Sequence, residues 1–516
     1  MDNEIIQLQN GWPIEEEQST PQHPNHPMKT YEYNVGPYHV TVCSGELQSQ
    51  GQYQVRFRED IINLRQFKDW ANKVKENILS ESEIKILTLD QSIEKMKPFI
   101  QQLIQTKGIS SHFSSDTIIP AMALEVLGLG RLAPLLLDTY LEEIYLDGDS
   151  EIYLDHSVIG RCSTSLRLSP RELDIFLNRV TLDNDSLLTQ TNPSMKADLT
   201  TEWFHLRISA DIPPLTLDGP KIIIRKLREK GLTLPDLCAN MTLIPEAATF
   251  LLFALLNGVD ITIVGAPASG KTTLQNALLA FLPPFFRVVS IEDVEETFAG
   301  SFQDNGHLIR FKVDPIERGF IRRTKSEEVI KLLHRSPDLI CFSEISTSEH
   351  AKAWFEAMCA GIQSVQTIHG RTIAAVVMRL SDVFEIPPVL IKSSIPHILV
   401  EIRGFWRNSK RLRRVTRITE ILGEPLDQKI PRDEIQIRDI YSYDATKDQL
   451  VPQISSAETT VFSAANEARP LPKQTLDSWF HETISFLHRT TGKPSAETSK
   501  AFKQLRHIIM NPHKDP

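Results

Sequence analysis

The stretch Ile261–Leu278, ITIVGAPASGKTTLQNAL, constrains the fold more than any other part of the chain. Ile261–Val264 is a short β-branched run of the kind that fills a buried parallel strand. Gly265, Ala266, Pro267, Ala268, Ser269, Gly270, Lys271 and Thr272 then fit the phosphate-loop pattern G-x-x-x-x-G-K-[ST], and Thr273–Ala280 reads as the helix that must follow. The glycines let backbone N–H groups wrap a phosphate, and the helix start adds its positive dipole end. Lys271 is placed to reach the β- and γ-phosphates, with the Thr272 hydroxyl on Mg²⁺. The plain alternative is a glycine-rich turn before an ordinary helix. It is disfavoured because all three fixed positions are filled between the right flanks. The loop, through Thr273, is therefore a candidate site for ATP with Mg²⁺.

Downstream, apolar runs alternate with helical stretches to about residue 400, the further strands being Val288–Ile291, Leu339–Phe342 and Ser364–Thr367. This alternation predicts an α/β fold: a largely parallel sheet with helices on both faces, forming a RecA-like P-loop core. Ligands of such sheets bind at the carboxyl ends of strands, where this chain places polar groups. The second strand leads into IEDVEE (Ile291–Glu296), an acidic cluster that repels phosphate unless Mg²⁺ lies between. The third delivers Glu344, which either activates an attacking water or orients the metal's hydration shell. The fourth ends at His369, beside the same edge and suited to sensing a γ-phosphate through a hydrogen bond. Singly these are ordinary residues. An acidic loop is usually solvated, and a lone histidine is usually structural. Their joint order behind an intact phosphate loop makes them a candidate site.

The remainder divides by pattern. Residues 1–28 are polar and proline-rich and read as a flexible segment. Residues 29–110 suit a small α+β module, with a hairpin over Tyr31–Phe57 and helical spacing over Glu59–Leu103. Residues 111–235 suit a mixed α+β N-terminal domain. It has a hairpin over Leu141–Asp155 turning at Asp147-Gly148, a helix over Arg171–Leu182 and a strand over Ile222–Arg225. Gly231–Asn240, around Pro235, suits a linker. The P-loop domain takes 236–425. Residues 426–516 carry strands and two closing helices, Leu476–Leu487 and Ala496–Ile509.

A length of 516 residues fits two to four domains of ~150 residues. The net charge of −10 argues against a general polyanion binder. Ala248–Leu256, the most apolar stretch, falls far short of the ~20 residues a membrane span needs. Cys43, Cys162, Cys238, Cys341 and Cys359 are scattered with no C-x-x-C, which predicts reduced thiols in a cytoplasmic protein and no structural zinc. Arg403–Arg417 holds seven Lys or Arg and no acid. It reads as a solvated hairpin or as a dock for an acidic membrane-protein loop or anionic headgroups.

With these motifs in hand the chain resembles a known family. VVSIEDVEE, PDLICFSEI and QTIHG, behind GAPASGKTT, look like the Asp box, Walker B and His box of type II/IV secretion-system ATPases. LEEIYLDGDSEIYLDHSVIGR, LRISADIPP and KIIIRKL resemble that family's N-terminal domain. YEYNVGPYHVTV, IYSYDATKDQL and the closing helices look like its archaeal branch. The resemblance implies a hexameric ATP-hydrolysing motor, cytoplasmic and peripheral at the inner face of the cell membrane. It would drive type II secretion, type IV pilus or archaellum assembly by extruding pilin-like subunits through a polytopic membrane platform protein. It also implies roles for Glu292, Asp293 and Glu296 as Asp-box carboxylates, Glu344 as the catalytic glutamate and His369 as the His-box residue. Arg207, Arg225 and Lys226 would be N-terminal-domain cations that face the nucleotide.

Three departures stand out. The family reads G-E-[IVM]-R after the Walker B strand, and this chain has Ser343-Glu344-Ile345-Ser346. The L-R-x-x-P-D arginine is displaced by one position, to Arg335. The His box continues with Gly370 in place of alanine. A nucleic-acid translocase and a weakly active regulatory homologue are the rival readings. The acidic net charge and the lack of aromatic–basic interleaving count against direct nucleic-acid binding.

Overall fold

In the computed structural model of the chain, the residues described are 5–7, 30–43, 51–58, 63–81, 87–107, 115–148, 150–184, 188–227, 231–292, 307–313, 325–332, 334–394, 396–407, 410–423, 435–468 and 473–491. The chain forms two compact units, Met1–Glu229 with Trp406–Arg411, and Lys230–Phe405 with Leu412–Pro516. Among the described residues no helix is long and apolar enough to cross a membrane.

The first unit is built on one sheet. It opens with β1 (Ile5–Gln7), β2 (Thr30–Val35), β3 (Tyr38–Cys43) and β4 (Gly51–Phe57), followed by helices α1 (Leu64–Glu81), α2 (Leu89–Lys107), α3 (Ser115–Val126) and α4 (Ala133–Leu137). Then come β5 (Leu141–Asp147), β6 (Ile152–His156), β7 (Gly160–Thr164), α5 (Pro170–Asp183), β8 (Ser194–Thr200), β9 (His205–Asp211) and β10 (Lys221–Leu227). Spatially the order is β1-β2-β3-β4-β7-β6-β5-β10-β9-β8. The predicted Tyr31–Phe57 hairpin is a three-stranded antiparallel meander that joins the rest through the parallel pairing of β4 with β7. The expected hairpin at Asp147-Gly148 is β5 against β6, and Gly148 supplies the positive φ of its turn. α5 starts at Ser169, whose hydroxyl and the Glu172 carboxylate form a reciprocal capping box.

The second unit begins with α6 (Leu234–Ala239) and α7 (Pro245–Leu256). Here the sequence expectation needs correcting. Gly231–Asn240 is no linker, because Thr233 and Asp236 form a capping box and Leu234 and Leu237 are buried. The sheet that follows uses β11 (Asp260–Gly265), α8 (Lys271–Leu279), β12 (Arg287–Glu292), β13 (His307–Lys312), α9 (Lys325–Leu332), β14 (Leu339–Ile345), α10 (Ser348–Cys359) and β15 (Gln363–His369). α11 (Ile373–Met378), a π-turn (Arg379–Val383), α12 (Pro388–Ser393), β16 (His397–Arg407), β17 (Lys410–Leu422), β18 (Gln436–Asp444), β19 (Gln449–Pro452), α13 (Thr460–Ala468) and α14 (Lys473–Thr490) complete it. Ala496–Ile509, expected to be helical, lies outside the described residues.

The strand order is β13-β12-β14-β15-β11-β16-β17-β18-β19, and the pairings from β13 through β16 are all parallel. Alternate residues enter opposite cores. Ile261, Ile263, Val288, Leu339 and Cys341 pack with α7 and α8 on one face, whereas Val264, Val289, Ile340 and Phe342 pack with α9 to α11 on the other. Burial on both faces is what makes these strands read as unbroken apolar runs. Because the strands run parallel, Gly265, Glu292, Glu344 and His369 all stand at the same edge of the sheet. This is the RecA-like P-loop architecture the sequence predicts.

Candidate functional site at the carboxyl edge of the parallel sheet

The phosphate loop joins β11 to α8 through two left-handed residues, Ala268 (φ 57°) and Gly270 (φ 102°), the latter being the helix N-cap. A Cβ on Gly265 would lie 2.4 Å from Ser269 Oγ and 2.5 Å from Ile402 O, so only glycine permits the loop to close on the strand. Ser269 is buried, and its Oγ has no hydrogen-bond partner among the described residues. An orphaned hydroxyl inside a cradle of backbone amides fits a phosphate oxygen. Thr272 and Thr273 occupy the first turn of α8 and are half-buried.

Lys271 is buried, and its ammonium donates to Ala266 O at 3.1 Å and to His369 Nδ1 at 3.0 Å. His369 closes β15 directly opposite Gly265 in register. Its Nε2 stands 3.1 Å from Glu344 Oε2. An ammonium donating to Nδ1 puts the ring proton on Nε2, which donates to the Glu344 carboxylate. Lysine, histidine and glutamate from three separate segments thus form one hydrogen-bonded chain. Its two downstream members remain about one-third exposed, at 35% for His369 and 34% for Glu344.

Glu344 reaches the ring because β14 carries a bulge. The β14–β15 register runs Phe342↔Gln366 and resumes at Ile345↔Ile368, three steps against two. One extra residue at Ser343–Glu344 re-aims the side chain.

The remaining predicted residues divide. Glu292 ends β12 at the same edge, buried, with its Oε1 accepting from Ser290 Oγ at 2.6 Å. Asp293 and Glu296 lie outside the described residues. Arg207 and Arg225 are cross-strand partners on β9 and β10 of the first unit, 3.8 Å from Asp198 and 3.9 Å from Glu143 respectively. Lys226 is a correction. Its ammonium donates to the carbonyls of Leu135, Leu136 and Asp138, and its enclosure pushes the pKa down to about 8. It therefore holds the end of α4 and does not face a ligand. The basic run lies on β16 and β17, which neighbour each other in the sheet as a hairpin would. Arg414 is buried and bidentate on Asp448, Arg417 pairs with Asp439 at 2.7 Å, and Arg403 with Glu401 at 2.8 Å. These three charges are paired within the unit.

The structure also accounts for the departures from the family pattern. A Cβ on Gly370 would meet Val376 Cγ2 at 2.3 Å, so alanine does not fit there. Where the pattern has an arginine at position 346, Arg379 from the π-turn donates to Ser346 O at 3.2 Å and to His369 O at 3.0 Å, tying the two strand ends together. Arg335 is held by Glu328 at 2.9 Å and lies over the Phe311 ring.

Sequence reasoning missed Gln275, Lys325, Arg379 and Arg413. Arg413 Nε donates to Ala268 O of the phosphate loop at 3.3 Å. Gln275 had a signal, being a polar residue on the Leu/Ala-rich side of α8. The others sit in stretches whose partners are distant in the chain.

Among the described residues no cluster of three or more His, Cys, Asp or Glu side chains is arranged to hold a metal. The hard oxygen donors present, the Thr272 hydroxyl and the Glu292 carboxylate, suit Mg²⁺ shared with phosphate oxygens.

The family described as Type II/IV secretion system protein matches residues 187–414. The chain is similar to an uncharacterised protein of Methanocaldococcus jannaschii, 27% identical over 340 residues, a match that covers 65% of this chain and 59% of that protein. It is also similar to the type IV secretion system protein PtlH of Bordetella pertussis, 31% identical over 133 residues, or 26% of this chain and 38% of PtlH. Among solved structures, the Legionella pneumophila ATPase DotB superposes with a TM-score of 0.41 at 17% identity, covering 53% of this chain and 75% of DotB. Residues 187–414, the span that matches the type II/IV secretion system protein family, carry the phosphate loop, the Glu344 strand and the His369 strand.

Proposed function

We propose that this chain is a Mg²⁺-dependent ATPase, the motor subunit of a type II/IV secretion, type IV pilus or archaellum assembly machine. The observation that carries the reading is the hydrogen-bonded chain from Lys271 through His369 to Glu344 at the mouth of the phosphate loop. Lys271 binds the β- and γ-phosphates, and the loop amides with Ser269 Oγ cradle them. Mg²⁺ held by Thr272, with Glu292 behind it, supplies charge neutralisation when bound. On phosphate binding Lys271 exchanges its imidazole partner for a phosphate oxygen. His369, released by Lys271, then turns its Nε2–H from Glu344 to a γ-phosphate oxygen and so reports it. Glu344, half-open to solvent, orients the attacking water and accepts its proton. The chain works as a homo-oligomer, a hexameric ring, and passes its movement to a polytopic membrane platform protein that extrudes pilin-like subunits. This places it at the cytoplasmic face of the membrane.

Phosphate release by the purified full chain tests the reading. Lys271→Ala should lower turnover on the order of a thousandfold, and Glu344→Gln should abolish turnover while keeping nucleotide affinity. Unchanged turnover in either variant would sink the assignment. Stimulation by single-stranded DNA that falls steeply with salt would redirect it to a nucleic-acid translocase.

A further inference from the structure

The bulge that aims Glu344 is held from outside the strand. Where the β14–β15 ladder breaks, three consecutive carbonyls each accept from a side chain. Phe342 O takes Gln275 Nε2 at 2.9 Å, Ser343 O takes Thr367 Oγ1, and Glu344 O takes Lys325 Nζ at 3.1 Å. These donors come from α8, β15 and α9.

Of the three, Lys325 is the buried cation. It is only 3% exposed, although enclosing an ammonium is costly unless it is paired and hydrogen-bonded. Its ammonium contacts the bulge, at Glu344 O and at Ser343 Oγ, 3.3 Å away. Local violations that persist in a packed unit are expected where function imposes them. The serine that replaces the family's glycine is thus itself a partner of the buried ammonium.

We propose that Lys325 is a positioning residue: by holding the main chain at Glu344, it sets the carboxylate against His369 and the nucleotide. The proposal rests on the reading of Glu344 as the group that acts on water. Fixing the carbonyl fixes the Cα–Cβ direction of a side chain whose productive range is under an ångström, and misplacement on that scale costs about a hundredfold in rate.

The test is Lys325→Met in the full chain, which keeps the stem and removes the donor. Lys325→Gln, a neutral donor of similar reach, serves if the first variant precipitates. Binding of a fluorescent ATP analogue and KM should stay within about twofold, while kcat falls at least tenfold. In protein with labelled histidines, the His369 ring resonances, assigned with His369→Gln, should move because the carboxylate has left Nε2. A kcat within twofold of the parent, in a protein that Glu344→Gln inactivates, overturns the proposal and leaves the ATPase reading standing. So does a parallel loss of nucleotide affinity and kcat, the mark of a merely structural lysine. If the parent itself has no turnover, the ATPase reading fails instead. The His369 resonances then decide alone, and an unmoved ring overturns the positioning role.

Discussion

Each unit assembles a carboxylate, a histidine and a lysine, with opposite outcomes. In the first unit Asp138 is fully buried and accepts from Tyr33 OH and Tyr53 OH, both at 2.6 Å, and from Tyr140 N at 2.8 Å. His156 takes Val158 N and Ile159 N on Nδ1 and meets Tyr33 OH with Nε2 at 3.1 Å. Lys226 spends its ammonium on three carbonyls, one of them that of Asp138. Every group is closed upon protein, and burial pushes the His156 pKa down to about 4, keeping the ring neutral. The knot ties β2 and β4 to β6 and β10, so it fixes which strands meet. In the second unit Lys271, His369 and Glu344 form an open chain at a sheet edge, one-third exposed at its far end. The same residue types thus specify a core when saturated and buried, and offer chemistry when left open at strand ends.

The strongest way to break this contrast is Asp138→Ala. Leaving the Tyr33 and Tyr53 hydroxyls and the Tyr140 N–H without their acceptor, and the enclosed Lys226 ammonium without a nearby negative charge, should cost about 3–5 kcal/mol, read as a lowered urea midpoint of the full chain. Affinity for an ATP analogue should hold below that midpoint. A lost affinity with unchanged stability would mean that Asp138 serves the nucleotide.

Acidification sharpens the comparison, because His156 in the first unit and His397 in the second are both buried with lowered pKa values. His397 sits in the second unit with its Nε2 2.7 Å from Thr262 Oγ1, and burial lowers its pKa to about 3. Both histidines have folded pKa values below the usual 6.5, so their contribution is present above 6.5 and lost as pH falls towards 4 and 3. At pH 5 each should have lost about 2 kcal/mol, measurable as unfolding free energy against pH. His397→Gln should flatten only its own share of that slope. An unchanged slope would show that the ring is already charged.

The smallest effect concerns how tightly the open site is packed from behind. Gly370→Ala must push Val376 aside and should cost about 1–3 kcal/mol, seen as a lower thermal midpoint. A neutral result would mean that α11 yields, and that the glycine is no constraint on the His369 strand.

Much of the site was legible in the chain. A phosphate loop is a local device, and strands buried on both faces announce themselves as apolar runs, so Lys271, Glu344 and His369 could be placed at one edge from spacing alone. What misled was context. Pro235 looked like a linker signal, yet it opens a helix capped by Thr233 and Asp236. Arg414 and Arg417 looked like part of a surface patch because their partners, Asp448 and Asp439, are brought near only by strand pairing.

The sequence by itself determined the loop, the parallel strands and the order of polar residues at their ends, because each depends on neighbours a few positions away. Tertiary structure alone decided the bulge that turns Glu344 onto His369, the buried Lys325 behind it, and the closed knot around Asp138. Those features depend on register between strands and on side chains meeting across as many as 123 residues, as Tyr33 meets His156. No local preference encodes such a meeting. It exists only once the chain has packed.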